Sequence, residues 1–189
     1  MGQLGIETIE IQIENRKLFL IGEFNDDMLI NFTNMQSKGI KPESQIWINS
    51  AGGSTDTLWA LRDLISIDPN IESIIGFGCV ASAAGILFVT LPDCKRKLLT
   101  ANASLMLHQV RFPTAYSEYE FEYKKLYEQI KAENEKVLGV IKKKIKNKKQ
   151  RESIAERYSM GDDIFLTAKE CLKLEIVEDI LEEISLGKN

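Results

Sequence analysis

Histidine is almost absent from this chain: of its 189 residues only His108 carries an imidazole, so a base of that kind has one address. Cysteine is scarce as well. Cys79, Cys94 and Cys171 are odd in number and lack disulfide-framework or metal-ligand spacing, which fits a reducing compartment. No apolar run approaches the roughly 20 residues that span a bilayer. The first residues have neither a basic-then-apolar secretory pattern nor the Ser or Thr that myristoylation needs at the sixth position. An excess of positive charge is also missing: Lys and Arg number 24 against 28 Asp and Glu, a net charge of −4, which gives no general pull toward nucleic acid or anionic membrane. Without a Pro/Gly/Ser linker, a repeat or a low-complexity block, residues 1–189 are expected to form one domain of a soluble, cytoplasmic protein.

What is present reads as alternating strands and helices. Ile9, Ile11 and Ile13 alternate with polar residues as in a half-buried strand, and Leu18 to Gly22 is a buried-type strand. Asn25 caps a helix through Met28, Phe32 and Met35, with Gly39 as its stop. Gln45–Asn49 is the next strand, running into a sharp loop at Ser50–Ser54 before a helix carrying Leu58, Leu61 and Ile65. A strand from Ile71 to Gly76 precedes small residues around Ser82 and an apolar helix from Ala83 to about Val89. Strands near Lys97–Leu99 and Leu105–Leu107 lead to His108. Ser117 to about Lys146 reads as one long helix with Phe121, Leu126, Ile130, Val137, Leu138 and Ile141 on its buried side. A helix over Glu152–Tyr158, a short one capped by Thr167, and a strand over Ile176–Ile180 complete the list. The alternation implies βαβ units around a mixed or parallel sheet, an α/β fold.

Two places offer chemistry. Gly52-Gly53, between a strand and a helix, lets the backbone approach a ligand and aim N–H groups at it, although a Gly pair alone is more often a tight turn. The Gly-x-x-x-x-Gly-Lys spacing of a phosphate loop is absent. Ser82 lies in Gly78-Cys79-Val80-Ala81-Ser82-Ala83-Ala84-Gly85, at a helix N-terminus whose amides can stabilise an oxyanion. A capping serine is the commoner use of that position. The Gly-x-Ser-x-Gly elbow is not present, since Val80 and Ala84 take the glycine places. His108 ends an apolar strand, and Asp162-Asp163 follow Gly161 in what alone would be turn chemistry. The basic run Lys142–Lys149 has no interleaved aromatics and reads as a solvated helix end, and Cys79 as a small buried thiol.

Together these segments resemble one family. Ile48-Asn49-Ser50-Ala51-Gly52-Gly53, Ala81-Ser82, Leu105-Met106-Leu107-His108-Gln109 and Asp163-Ile164-Phe165-Leu166-Thr167-Ala168 resemble, in order, the Ile-Asn-Ser-Pro-Gly-Gly, Ala-Ser, Val-Met-Ile-His-Gln and Asp-Arg-Phe-Leu-Ser-Ala motifs of the Clp protease proteolytic subunit. The resemblance implies a ClpP/crotonase-like spiral of βαβ units with a protruding handle, its strand and helix at about 110–146. It implies a serine endopeptidase with Ser82 as nucleophile, His108 as base and Asp163 as the orienting carboxylate, Asp162 being the rival. Gly53 and Ala83 would supply the oxyanion hole, and Gly52, Ser54, Gln109, Val110 and Arg111 the edges that hold an extended peptide. No metal or cofactor is implied in this subunit; ATP enters only through a partner AAA+ unfoldase. The expected partners are peptides, unfolded proteins and copies of this chain, in a ring that the family stacks as a double heptamer. The chain departs from the family at Ala83-Ala84 (family Met-Gly), at Val110 (family proline) and at Arg111-Phe112-Pro113 (family glycine-rich). The alternatives are a catalytically silent ring subunit and a crotonase-type acyl-CoA enzyme.

Overall fold

The computed structural model describes residues 16–92, 95–111 and 120–182. The expected strand at Ile9–Ile13, Cys94 and the handle strand expected after Arg111 lie outside them, apart from Val110 and Arg111 themselves. Five strands, β1 (Lys17–Phe24), β2 (Ser44–Gly53), β3 (Ile71–Ala81), β4 (Arg96–Thr100) and β7 (Asp179–Leu181), lie side by side in that order, each parallel to its neighbour. β5 (Ser104–Leu107) pairs parallel with β3 and antiparallel with β6 (Ile164–Thr167). Parallel strands need crossover helices. These are α1 (Asp26–Ser37), α2 (Thr55–Ile67) and α3 (Ala83–Thr90), followed by α4 (Glu120–Lys144), α5 (Lys148–Met160) and α6 (Ala168–Lys173).

The caps set these helices in place. Asn25 Oδ1 accepts from the Met28 amide at 3.0 Å, Ser54 caps α2, and Thr167 and Glu170 form a reciprocal box at the start of α6. The bonds from Thr167 hold the Glu170 carboxyl below its ordinary range. Helix α3 is buried on every side, as its apolar sequence demands, and forms the centre of the core beneath β2, β3 and β5.

The strand β3 is the pivot. Its first half, Ser73–Gly76, pairs with β4, and its last residues, Cys79–Ala81, pair with β5. Between them the β2 register jumps from Ile48↔Gly76 to Ser50↔Val80, a bulge at which Gly78 takes φ 60° against the Asn49 side chain. The bulge swings the end of β3 away from β4 and delivers Ser82 beside β5.

Several sequence expectations change. β2 continues to Gly53 where a loop was expected at Ser50, because Phe24 of β1 still pairs with Gly53. β3 runs to Ala81 rather than Gly76. β6 is a strand that the short, mixed run Ile164–Thr167 did not reveal, and the last strand is Asp179–Leu181 rather than Ile176–Ile180. α5 begins at Lys148, where Asn147 caps it, well before Glu152. In α4 only Val137 and Ile141 of the expected apolar side are fully buried; Leu126, Ile130 and Leu138 are half-covered and the Phe121 side chain lies outside the described residues. Cys79 is exposed at the bulge rather than buried, whereas Cys171 is buried, which pushes its thiol up to about 12.

Candidate active site

Three chain ends meet at one edge of the sheet. Ala81 pairs with Met106, and the Ser82 amide donates to the Met106 carbonyl at 3.0 Å, so Ser82 leaves β3 beside the end of β5. On the other side of β5, Leu107 pairs with Ile164. His108 therefore follows β5 at the same end at which Asp163 precedes β6. Ladder register alone brings these segments together from distant parts of the sequence.

Ser82 is the N-cap of α3, yet its side chain makes no capping bond and its backbone stands at φ 55°, ψ −124°. A non-glycine residue in such a region costs of order 1–3 kcal/mol, held only where surroundings impose it. Here they do: Ile86 closes the first helical bond on the Ser82 carbonyl while Met106 holds its amide. The strained strand-to-helix turn of a nucleophile elbow is thus present although its glycine signature is not. Gly52 is what makes room. At φ +104°, a Cβ there would meet Ser82 Cβ at 2.6 Å, the Ala83 amide nitrogen at 2.8 Å and the Ala81 carbonyl at 2.9 Å. The Gly52 backbone therefore lies directly against the serine and the first amide of α3. Gly53 faces the other way, its pro-Cβ direction blocked by the Phe24 backbone. Ser54 spends its hydroxyl on the Thr57 amide as the α2 cap.

Two of the three side chains in the proposed trio are engaged elsewhere. His108 Nδ1 lies against the Gln109 carbonyl. Asp163 Oδ1 accepts from Arg111 Nη2 at 2.5 Å, and Asp162 pairs with Arg157 at 3.6 Å. Among the described residues no hydrogen bond joins Ser82 to His108 or His108 to Asp163. Gln109 and Val110 are tethered too: Gln109 Nε2 donates to the Ser159 carbonyl at 3.2 Å, and the Val110 amide donates to Asn134 Oδ1 at 2.7 Å.

Asn134 and Tyr158 were not singled out by the sequence. Tyr158 is buried, its hydroxyl donates to Asn134 Oδ1 at 3.0 Å, and burial, reinforced by the Glu133 charge, holds it firmly protonated. The available signal was a polar residue on an apolar stripe, since Asn134 shares a helix face with Ile130, Val137 and Leu138. Beside it lies a cavity of about 270 Å³ bounded by Gln109, Tyr127, Ile130, Asn134, Leu138 and Tyr158. Among the described residues no acidic, His or Cys cluster could hold a metal ion, and no helix is long and apolar enough to cross a membrane.

The family profile described as Clp protease matches residues 2–184, nearly the whole chain. The chain belongs to the Clp protease family. It is 28% identical over 180 residues to the ATP-dependent Clp protease proteolytic subunit 1 of Bifidobacterium longum, covering 89% of this chain and 72% of that protein. Proteolytic subunit 3 of Rhizobium johnstonii is 29% identical over 110 residues, 56% of each chain. Proteolytic subunit 2 of Frankia casuarinae is 30% identical over 122 residues, 62% of this chain and 54% of that one. The match to the Rhizobium and Frankia relatives thus spans little more than half of their length. Among the described residues, the largely parallel sheet with its six helices agrees with the α/β fold expected from the motifs.

Proposed function

We propose that this chain is the proteolytic subunit of a Clp-type serine peptidase, with Ser82 as its nucleophile. The observation that carries the reading is the positive φ of Ser82 at a strand-to-helix junction, where strain holds a hydroxyl next to free helical amides. In the working arrangement His108 takes the Ser82 proton as Oγ attacks the scissile carbonyl, then gives it to the departing amine. Water repeats the sequence to free the acyl group. Asp163 orients the imidazole and stabilises its cation. The Ala83 amide and that of Gly53 receive the oxyanion, and one such donor is worth about 10²–10³ in turnover. These steps use no cofactor. Reaching that arrangement requires the His108 ring to turn from the Gln109 carbonyl and sets it in competition with Arg111 for the Asp163 carboxylate.

The substrate in this reading is an extended peptide lying between the Gly52–Ser54 backbone and residues 109–111, with one side chain in the cavity beside Gln109. Relatives named as ATP-dependent proteolytic subunits support assembly into a closed ring that receives unfolded chains from an AAA+ ATPase, which consumes the ATP. Half-exposed Phe19, Trp47 and Phe77, in mutual ring contact on β1, β2 and β3, give such a partner an apolar surface. A fluorophosphonate probe applied to the assembled protein is expected to label wild type and neither Ser82→Ala nor His108→Ala. Absence of labelling, under conditions that label an authentic Clp proteolytic subunit, overturns the peptidase reading and leaves a silent ring subunit.

A further inference from the structure

We propose that Asn134 is a positioning residue that holds the substrate edge in register by standing in for a neighbouring strand. The proposal rests on the peptidase reading above and adds a residue to it. Its basis is a two-armed contact: the Asn134 carboxamide accepts the Val110 N–H at 2.7 Å and reaches back to the Val110 carbonyl at 3.5 Å. A carboxamide has the same donor and acceptor pair as a peptide group, so one side chain faces both backbone groups of one residue, as a paired strand does, with the N–H arm short and the carbonyl arm at the limit of hydrogen-bond distance.

The consequence follows from strand geometry. In an extended chain the N–H and C=O of one residue point to one side and those of its neighbours to the other. Residues 108–111 belong to no strand in this structure. As they extend along an incoming peptide with Val110 held on Asn134, and the His108 ring leaves the Gln109 carbonyl, the Gln109 and Arg111 backbone groups turn outward to pair with it by β-augmentation. The clamp therefore divides the labour of this edge, one side for the fold and one for substrate. It also supplies the amide anchoring that Val110, replacing the family's proline, makes possible, because a proline has no N–H to donate.

Three further contacts fix the clamp itself. The Tyr158 hydroxyl from α5 donates to the same Oδ1 at 3.0 Å, which sets the carboxamide's orientation. One residue before Asn134, Glu133 accepts from Trp59 Nε1 of α2 at 2.8 Å, and Lys136 sits 3.7 Å over the Trp59 ring, so α4 is pinned against rotation. Asn134 lies between these two anchors.

The test uses the full-length assembled protein with Asn134→Leu, Asn134→Asp and Tyr158→Phe. Asn134→Leu is expected to speed hydrogen exchange of the Val110 amide and weaken binding of an uncleaved peptide to the Ser82→Ala background, each by roughly tenfold. In the active background the peptide KM rises while fluorophosphonate acylation of Ser82, which does not use the edge, changes by less than about twofold. Asn134→Asp keeps the acceptor and loses the donor, so it falls between wild type and Leu, as does Tyr158→Phe. It also gives a reading if the Leu variant fails to fold. Unchanged Val110 exchange, unchanged peptide affinity, or an equal fall in acylation and peptide turnover each overturns the proposal. Peptide binding and exchange read the clamp even if Ser82 proves unreactive, so its failure is separable from that of the peptidase reading.

Discussion

The contact between Arg111 and Asp163 makes the sharpest prediction, because it occupies the carboxylate that the proposed chemistry needs. The two side chains are 56% and 43% exposed, so their pair belongs to the weak class, worth about 0.2–1 kcal/mol against solvent and screened by salt. At the upper end the paired state outweighs the released one by about fivefold, since each 1.4 kcal/mol is a factor of ten. The second bond, from Arg111 to the Gly161 carbonyl at 3.5 Å, is at the limit of hydrogen-bond distance and adds little. Arg111→Gln is therefore expected to raise the second-order rate of Ser82 acylation by up to about fivefold at low ionic strength. In wild type the same gain appears on raising salt from about 0.02 M to about 0.5 M, where the screening length falls below about 5 Å; in the variant the rate is nearly flat. Asp163→Asn is slower than wild type under both conditions. If Arg111→Gln is slower than wild type, or keeps the full salt response, then Arg111 is not a competitor for the carboxylate and belongs to the working arrangement.

If the Ser82 backbone is strained as described, Ser82→Gly should be more stable than Ser82→Ala by about 1 kcal/mol in denaturant unfolding, because only glycine adopts φ 55° without cost; equal stabilities would remove the strain argument. The buried Cys171 thiol, pushed up from 9 to about 12, binds its proton more tightly folded than unfolded. Its contribution is intact below pH 9 and is lost as pH rises from there toward 12, at up to about 1.4 kcal/mol per pH unit. Cys171→Ala should flatten that alkaline limb of the unfolding profile, and an unchanged limb would refute the assignment.

Much of the fold was legible because its signals are local. The side chains of Asn25 and Thr167 announce helix starts through bonds within three residues, and the all-apolar run of α3 can only be a core helix. The misplaced strand ends share a cause in contacts outside the segment, whereas the early start of α5 follows from a local cap, Asn147. Ser50–Gly53 has turn composition, yet Phe24 pairs with Gly53 and keeps it in the sheet. The four residues of β6 are too few to show a period, and pairing with β5 makes them a strand.

The site divides along the same line. That the segments of Ser82, His108 and Asp163 belong together was readable from their motifs, not from strand ends, since β6 was not foreseen and β3 was expected to stop short; the register of β3, β5 and β6 is what carries those segments to one edge. What each side chain touches was not, because it depends on residues whose sequence positions say nothing of one another. Arg111 reaches Asp163 across 52 positions, and Asn134 reaches Val110 across 24. Both of those tethers fall on the stretch where the chain departs from its family, at Val110 and Arg111 in place of proline and glycine-rich sequence. A proline would have removed the Val110 amide and glycines the Arg111 guanidinium, and with them the tethers. The departures thus have one physical effect, which is to tie the segment after His108 to α4 on one side and to Asp163 on the other. The hold on residues 109–111 therefore bears on two things at once: Asn134 sets how the edge after His108 is presented, and Arg111 sets how free the Asp163 carboxylate is.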